Sequence, residues 1–439
     1  MVNIKKIRDL IEKYKPEIEE NFSRLVTIPS VKNIDSSPYP FGENINNCLE
    51  EALKIGRELG FYTKNIDGYA GVLSLFKEER NKGYMGIFGH LDVVPAGSGW
   101  SYPPFKLTKM DKRYYGRGVL DNKGPLLSTI YAVKILKDLG VNFKNNIKII
   151  MGTDEESGMS DMVYFLKKEI APIFGFTPDC KFPVVYGENG IIRLKIFFPR
   201  EENKNISLEK IEGEFSRAYI PDKAILKVIS DKNFNSIVGE GKRAPSNNPY
   251  LGENAIISAM NNIPNSILEN IDYKNGIKKI LRYFSDVYGE ALEINYQKSE
   301  SERVLLSFYD LKVEENFLVA SISIRYPVDC NGEEIIEKIK DKLKEKIEIE
   351  AHMAKVLHNP NSKIVKDLSK GYFEVTKLDS TPVTTTGGTY ARKVPNIVAF
   401  GPSFPGEKGI AHNKDEYMDI DSFFKLIEIY ALSIYYINK

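Results

Sequence analysis

Apolar and polar positions follow two rhythms along this chain. Ile4 to Ile28 carries apolar residues at helical spacing and stops before Pro29. Ile45 to Leu59 repeats the pattern, with Gly60 as its stop signal. Short apolar runs follow at Gly71 to Phe76, Tyr84 to Phe88 and Ile147 to Met151, each bounded by turn residues, as buried strands are. Between the last two, Pro125 to Leu139 sets Leu126, Ile130, Val133 and Leu136 on one helical face and closes at Gly140. Helices interleaved with strands predict an α/β layer structure with a largely parallel sheet.

From about residue 191 the texture changes. IIRLKIFFP and AILKVIS read as strands, NAIISAMNNI and GIKKILRYFSDVYG as helices. VLLSFYDLKVEENFLVASISIRYPV reads as two or three strands around a turn, and GEEIIEKIKDKLKEKIEI as one solvated amphipathic helix. After Pro360 the first texture returns, with a helix over Ile364 to Thr376, a Thr/Gly-rich loop, the strand NIVAF and a last helix from Ser422 to Tyr436. The pattern predicts one α/β domain, residues 1–190 plus 359–439, interrupted by an α+β domain at 191–358.

Composition adds exclusions. The 439 residues suit two or three domains at about 150 residues each. With 61 basic against 60 acidic residues, no global field draws the chain to nucleic acid or anionic lipid. No apolar run reaches the ~20 residues that span a bilayer, and the charged start MVNIKKIRDLIEKYKPEIEE is unlike a signal peptide. A cytoplasmic protein without membrane or nucleic-acid partners is expected. The three cysteines, Cys48, Cys180 and Cys330, make no C-x-x-C pair, and only four histidines are present. A metal site must then rest mainly on carboxylates.

Five short stretches carry chemistry. His90-Leu91-Asp92 closes an apolar run. Residues two apart on a strand share a face, so Asp92 can orient His90, as carboxylates orient metal-bound histidines. A surface histidine beside a polar loop is the plainer alternative. Gly116-Arg117-Gly118-Val119-Leu120-Asp121 leads an acid to the start of a helix, as a site residue or as an ordinary N-cap. Asp154-Glu155-Glu156 follows the strand ending at Met151, where open α/β sheets place ligands; if solvated it is only a charged loop. Pro178-Asp179 and His412-Asn413-Lys414-Asp415-Glu416 complete the set. Two histidines and several acids at strand ends of one domain form a shell suited to divalent cations. Two such cations about 3.5–4 Å apart polarise a carbonyl and yield hydroxide at neutral pH, which is amide or ester hydrolysis.

Taken together, GHLDVVPAG, GRGVLDNKGP, GTDEESG, TPDCKFPVVYGE, IRYPV, GGTYAR and AHNKDEY resemble, in order and spacing, the M20 family of di-zinc metallopeptidases in its PepV/Sapep-like dipeptidase branch. The resemblance implies an aminopeptidase-like catalytic domain with a mixed, mostly parallel sheet, interrupted by an α+β lid that recognises substrate. It implies two divalent metal ions, zinc first, with manganese or cobalt as alternatives. His90 and Asp179 would hold one ion, Glu156 and His412 the other, and Asp121 would bridge them. Glu155 would be the general base and Asp92 would orient His90. Arg325 would bind the substrate carboxylate, and Gly387, Gly388 and Thr389 would contact the substrate. The implied activity is hydrolysis of the amide bond of dipeptides or similar short substrates with a free carboxylate, by a monomer.

The sequence also departs from the family. Pro245 stands at the position of the lid histidine that is thought to stabilise the oxyanion, Ala218 at that of an asparagine, and Thr386 at that of a glycine. Proline offers no donor. Losing one oxyanion donor costs roughly 2.7–4 kcal/mol. Lys242 or Arg243 could supply the missing positive charge. These changes motivate an alternative, a catalytically weak metal-containing protein with a binding or regulatory role. The remaining histidines, His352 and His358, read as surface residues, or else as a substitute donor or a weak metal site.

Overall fold

The computed structural model describes residues 2–35, 37–77, 83–230, 233–298, 302–407 and 409–439. The chain separates into two compact units. One comprises Met1–Gly187, His358–Val383 and Gly388–Lys439; the other comprises Glu188–Leu357 and Thr384–Gly387.

The first unit is an α/β layer structure around one mixed sheet. Its strands run in the order Tyr62–Ile66, Ala70–Ser74, Asn146–Gly152, Tyr84–His90, Phe174–Thr177, Ile397–Phe400 and Val184–Glu188. The central pairings, from Asn146–Gly152 to Ile397–Phe400, are parallel, and the flanking ones are antiparallel. Tyr84–His90 is buried along its whole length, as a parallel strand covered on both faces must be. Met85 and Ile87 join the core beneath the helices Ile4–Thr27, Glu43–Glu58, Lys123–Asp138, Lys363–Thr376 and Ile420–Ile437. Tyr84 and Phe88 face a smaller core with Met162, Phe165 and Tyr390. Gly89 lets the Lys123–Asp138 helix come close, since a Cβ there would lie 2.6 Å from Asn122 Oδ1.

The second unit is α+β. Its four-stranded antiparallel sheet has the order Leu305–Glu314, Phe317–Tyr326, Gly190–Pro199 and Lys346–Met353. The helices Lys274–Phe284 and Gly332–Leu343 share its apolar core. A smaller antiparallel sheet comprises Ile206–Gly213, Lys223–Ser230 and Asn233–Glu240. The long helix expected from GEEIIEKIKDKLKEKIEI stops at Leu343. Lys344 adopts a left-handed φ of 52° and ends the helix, and Lys346–Met353 becomes an edge strand.

Candidate active site

Three neighbouring parallel strands, Asn146–Gly152, Tyr84–His90 and Phe174–Thr177, end at one edge of the sheet. Ligands of open α/β sheets gather at such carboxyl ends. His90 closes its strand, Glu155 and Glu156 follow theirs, and Asp179 follows the third. Asp121 lies just before the Lys123–Asp138 helix, whose N-cap is Asn122 rather than Asp121. His412 arrives from a loop between the last strands and holds a left-handed φ of 66°.

These side chains converge. His90 Nε2 lies 3.0 Å from Asp121 Oδ1 and 3.6 Å from Asp179 Oδ2. His412 Nε2 lies 3.0 Å from Asp121 Oδ2 and 3.0 Å from Glu156 Oε2. Asp121 therefore turns one oxygen to each histidine. Donor atoms of His90, Asp121 and Glu156, and of His90, Glu155 and Asp179, lie within 4.8 Å of one another.

The positions of the protons are constrained. His90 Nδ1 is 2.8 Å from the carbonyl oxygen of Asp92 and 3.4 Å from its carboxylate. A carbonyl only accepts, so Nδ1 carries the proton. In a neutral ring Nε2 then presents a lone pair to carboxylates that also hold only lone pairs. A cation among these atoms, whether a proton or a metal, resolves the conflict. Asp92 serves two neighbours at once. Its carbonyl orients His90, and its carboxylate accepts the backbone N–H groups of Glu155 at 3.2 Å and Glu156 at 3.0 Å.

Without a metal, protons carry the compensation. Hydrogen bonds to Asp121 and Glu156 raise the pKa of His412 to about 11. Burial, outweighed by the charge of Asp179 and the hydrogen bond to Asp121, leaves His90 well above the usual imidazole range. Burial and the charge of Asp121 raise Glu156 to about 7. Burial and Asp179 hold Glu155 well above the carboxylate range. Burial also raises Asp179. Asp121 alone is lowered, because its bonds to His412 and His90 outweigh burial. Two histidines among four crowded acids are the donor chemistry of a divalent-cation site.

Several supporting residues were not singled out by the sequence reading. Asn122 donates from Nδ2 to the Pro178 carbonyl at 2.7 Å and to Asp179 at 3.3 Å, while its Oδ1 accepts the His90 N–H at 3.4 Å. Glu416 accepts N–H groups from Leu120 at 2.8 Å and Asp121 at 3.2 Å, and pairs with Arg117. Asp161 accepts the N–H groups of Thr153 and Asp154 and the hydroxyl of Tyr390. Arg117, Asn122 and Glu416 stand inside motifs already noted, but nothing local marks their partners. Asp161 carries no local signal.

The other expected residues make contacts of their own. Thr389 caps the short helix Tyr390–Arg392 by accepting the Ala391 N–H at 3.1 Å, and Gly388 abuts the Arg392 side chain. Arg325 and Gly387 belong to the second unit, where Arg325 donates to the Thr386 carbonyl. In that unit Pro245 lies on a two-residue strand paired with Tyr219–Ile220. Arg243 is committed to Glu214 at 2.6 Å and Asp222 at 2.9 Å, and stacks on Tyr219 at 4.2 Å. His352 is not a bare surface residue. Its ring contacts the Tyr326 hydroxyl at 2.9 Å and Glu333 at 3.1 Å. His358 is half-buried and burial lowers its pKa. Neither histidine belongs to a metal-ligand group among the described residues.

A His/carboxylate cup at the carboxyl ends of parallel strands, with a separate α+β unit inserted in the chain, defines a hydrolase-like architecture. The chain belongs to peptidase family M20/M25/M40, which it matches over residues 86–436, and it is a peptidase. It is 30% identical over 434 residues to a Bacillus subtilis (strain 168) protein described as "Putative dipeptidase YtjP", covering 91% of this chain and 92% of that one. Among solved structures, human carnosine dipeptidase 1 shares the fold with a TM-score of 0.64 at 16% identity, over 99% of each chain. The Saccharomyces cerevisiae di-peptidase Dug1p does so with a TM-score of 0.63 at 16% identity, over 99% of this chain and 98% of its own. Among the described residues, no helix is long and apolar enough to cross a membrane.

Proposed function

We propose that this peptidase hydrolyses the amide bond of dipeptides and similar short substrates with a free carboxylate. Two divalent cations, zinc first, would be held by His90 and Asp179 on one side and by Glu156 and His412 on the other, with Asp121 between. Bound there, such cations polarise a scissile carbonyl and make water more acidic.

The observation that carries this reading is Glu155. Its carboxyl lies within the cup and has no hydrogen-bond or ion-pair partner among the described residues, while its backbone N–H is held by Asp92. Burial and Asp179 favour its protonated form. An acid free of other duties and poised to hold a proton suits general acid–base work. In its ionised form Glu155 would take a proton from the attacking water, and the carboxyl so formed, which this setting favours, would deliver that proton to the leaving amine. Asp92 fixes the backbone of Glu155 and the ring of His90 together, so base and ligand keep a set separation. Arg325 would pair with the substrate carboxylate through its planar fork, and Gly387, Gly388 and Thr389 would line the peptide. A cytoplasmic location is carried over from the composition and the charged start of the sequence, and a monomer from the family resemblance. The alternative, a weak binding or regulatory protein suggested by Pro245, is not favoured, since the relatives are peptidases.

The test is turnover of a dipeptide panel by protein loaded with zinc or manganese. Hydrolysis that is lost in Glu155→Gln is expected; no hydrolysis of any dipeptide would overturn the proposal.

A further inference from the structure

The four-stranded sheet of the second unit has one apolar face and one polar face. Along Gly190–Pro199, Ile192, Leu194, Ile196 and Phe198 enter the core, so Arg193 and Lys195 point the other way. Arg193 stands opposite Ser323 of the neighbouring strand, and Ser323 stands opposite Ser307 of the next. Directly opposed residues share a face with Cβ atoms about 4.5–5.5 Å apart. The three side chains therefore form a row across the sheet. Arg325 is two residues beyond Ser323 on the same face, and its cross-strand partner is Ile191. Arg193 and Arg325 are thus diagonal neighbours, about 7–8 Å apart at the backbone and within reach of one ligand.

The carboxylate whose charge acts on Arg193 is already engaged. Glu350 receives Lys195 at 3.0 Å and the Tyr309 hydroxyl at 3.0 Å. Arg193, half-buried, has no ion pair or hydrogen bond among the described residues. Burial and the neighbouring charge of Arg217 disfavour its cationic form, with Tyr309 and Glu350 acting weakly the other way. Ser307 is 1% exposed and its Oγ has no hydrogen-bond partner among the described residues. A buried hydroxyl and a half-buried guanidinium, on one face either side of Ser323 and both without a partner among the described residues, are costly to keep unless a polar group reaches them.

We propose that Arg193, Ser323 and Ser307 form a carboxylate slot that reads the acidic side chain of a dipeptide ending in Asp or Glu. This rests on the reading of Arg325 as the group that takes the terminal carboxylate. Such a residue carries two carboxylates a few bonds apart, and the sheet offers two arginines on adjacent strands. The guanidinium of Arg193 takes one carboxylate as a fork, and the hydroxyl of Ser307 or Ser323 donates to the same oxygens.

The experiment compares kcat/KM for Ala-Glu and Ala-Gln, using full-length metal-loaded protein and the variants Arg193→Met and Ser307→Ala. Gln matches Glu in shape and lacks its charge. The wild type should prefer Ala-Glu. Arg193→Met should lose about 10–100-fold on Ala-Glu, the scale of a charge-assisted contact, with Ala-Gln unchanged. Ser307→Ala, which only removes an oxygen, should lower the preference in the same direction, and it serves if Arg193→Met fails to fold. Equal turnover of both dipeptides, or a preference that neither substitution alters, would overturn the slot and leave the dipeptidase reading standing. No turnover of any dipeptide would overturn both.

Discussion

Arg117 and Glu416 form an ion pair with an Nη1···Oε2 distance of 2.7 Å, and their side chains are 1% and 0% exposed. Glu416 also accepts the backbone N–H groups of Gly118, Leu120 and Asp121. It lies four residues after His412, so one carboxylate joins the loop that carries His412 to the loop that carries Asp121. The pair acts through those residues as a positioning device. Glu416→Gln removes its charge with little change of shape. Breaking a buried pair from one side costs roughly 3–5 kcal/mol. Urea denaturation should show a loss of that order. Trp100, the single tryptophan, lies 5.1 Å from the Arg117 guanidinium and reports the change by fluorescence. Zinc affinity should fall about 10–100-fold, as for other residues that orient ligands. Unchanged stability and affinity would show that the loops hold without this contact.

Glu155→Gln separates chemistry from binding. Turnover should fall by about 10²–10⁴, the usual weight of a general acid–base group. Calorimetric zinc affinity should stay within a few-fold, because Glu155 has no assigned place among the ligands. A parallel loss of binding would make Glu155 a ligand instead.

The pH dependence of the metal-free protein has a defined sign. Glu156 is raised from its ordinary 4.5 to about 7, so the folded chain retains a proton that the unfolded chain has lost. Stability falls as pH rises across that interval. His412, raised from 6.5 to about 11, contributes stability that is complete below its ordinary value and is lost as pH climbs through the folded one. Both effects run the same way between pH 5 and 8. The thermal midpoint of chelator-treated protein should drop over that range, and drop less in Glu156→Gln. Added zinc should stabilise most at the upper end, where ligands are deprotonated. A midpoint that rises with pH would contradict the site electrostatics.

Gly89→Ala probes the packing behind His90. The new Cβ would lie 2.6 Å from Asn122 Oδ1 and 3.0 Å from Leu126 Cδ1. Overpacking of this kind costs roughly 1–3 kcal/mol. It also displaces the side chain that ties His90 to Asp179, so zinc affinity should fall along with the thermal midpoint. A stable variant with normal affinity would show that Asn122 has room to yield.

Much of this organisation is legible from local pattern. Tyr84–His90 and Asn146–Gly152 read as strands because both faces are buried and their apolar runs are nearly unbroken. His90 stands out because it closes a strand, and Asp121, Glu155, Glu156, Asp179 and His412 because they lie in the loops that follow strands or turns. Polar strands are harder to see. Asn233–Glu240, NFNSIVGE, is an edge strand of its sheet and shows little alternation. Lys346–Met353 continues the charged texture of the helix before it, and only the left-handed Lys344 marks the break. The contacts of Asn122, Asp161 and Glu416 depend on tertiary pairing, and Glu416 meets Asp121 across 295 residues. The dual role of Asp92 was hidden for another reason. Alternation places its side chain beside His90, yet its carbonyl makes the shorter contact.

The most direct test of a paired-cation site is an anomalous-difference map of crystals soaked in zinc, recorded at the zinc edge. Two peaks flanking the Asp121 carboxylate are predicted, one beside His90 and Asp179 and one beside Glu156 and His412, with the Glu155 carboxyl bound to neither. Peaks elsewhere, a single peak held by Glu155, or none at saturating zinc would contradict it.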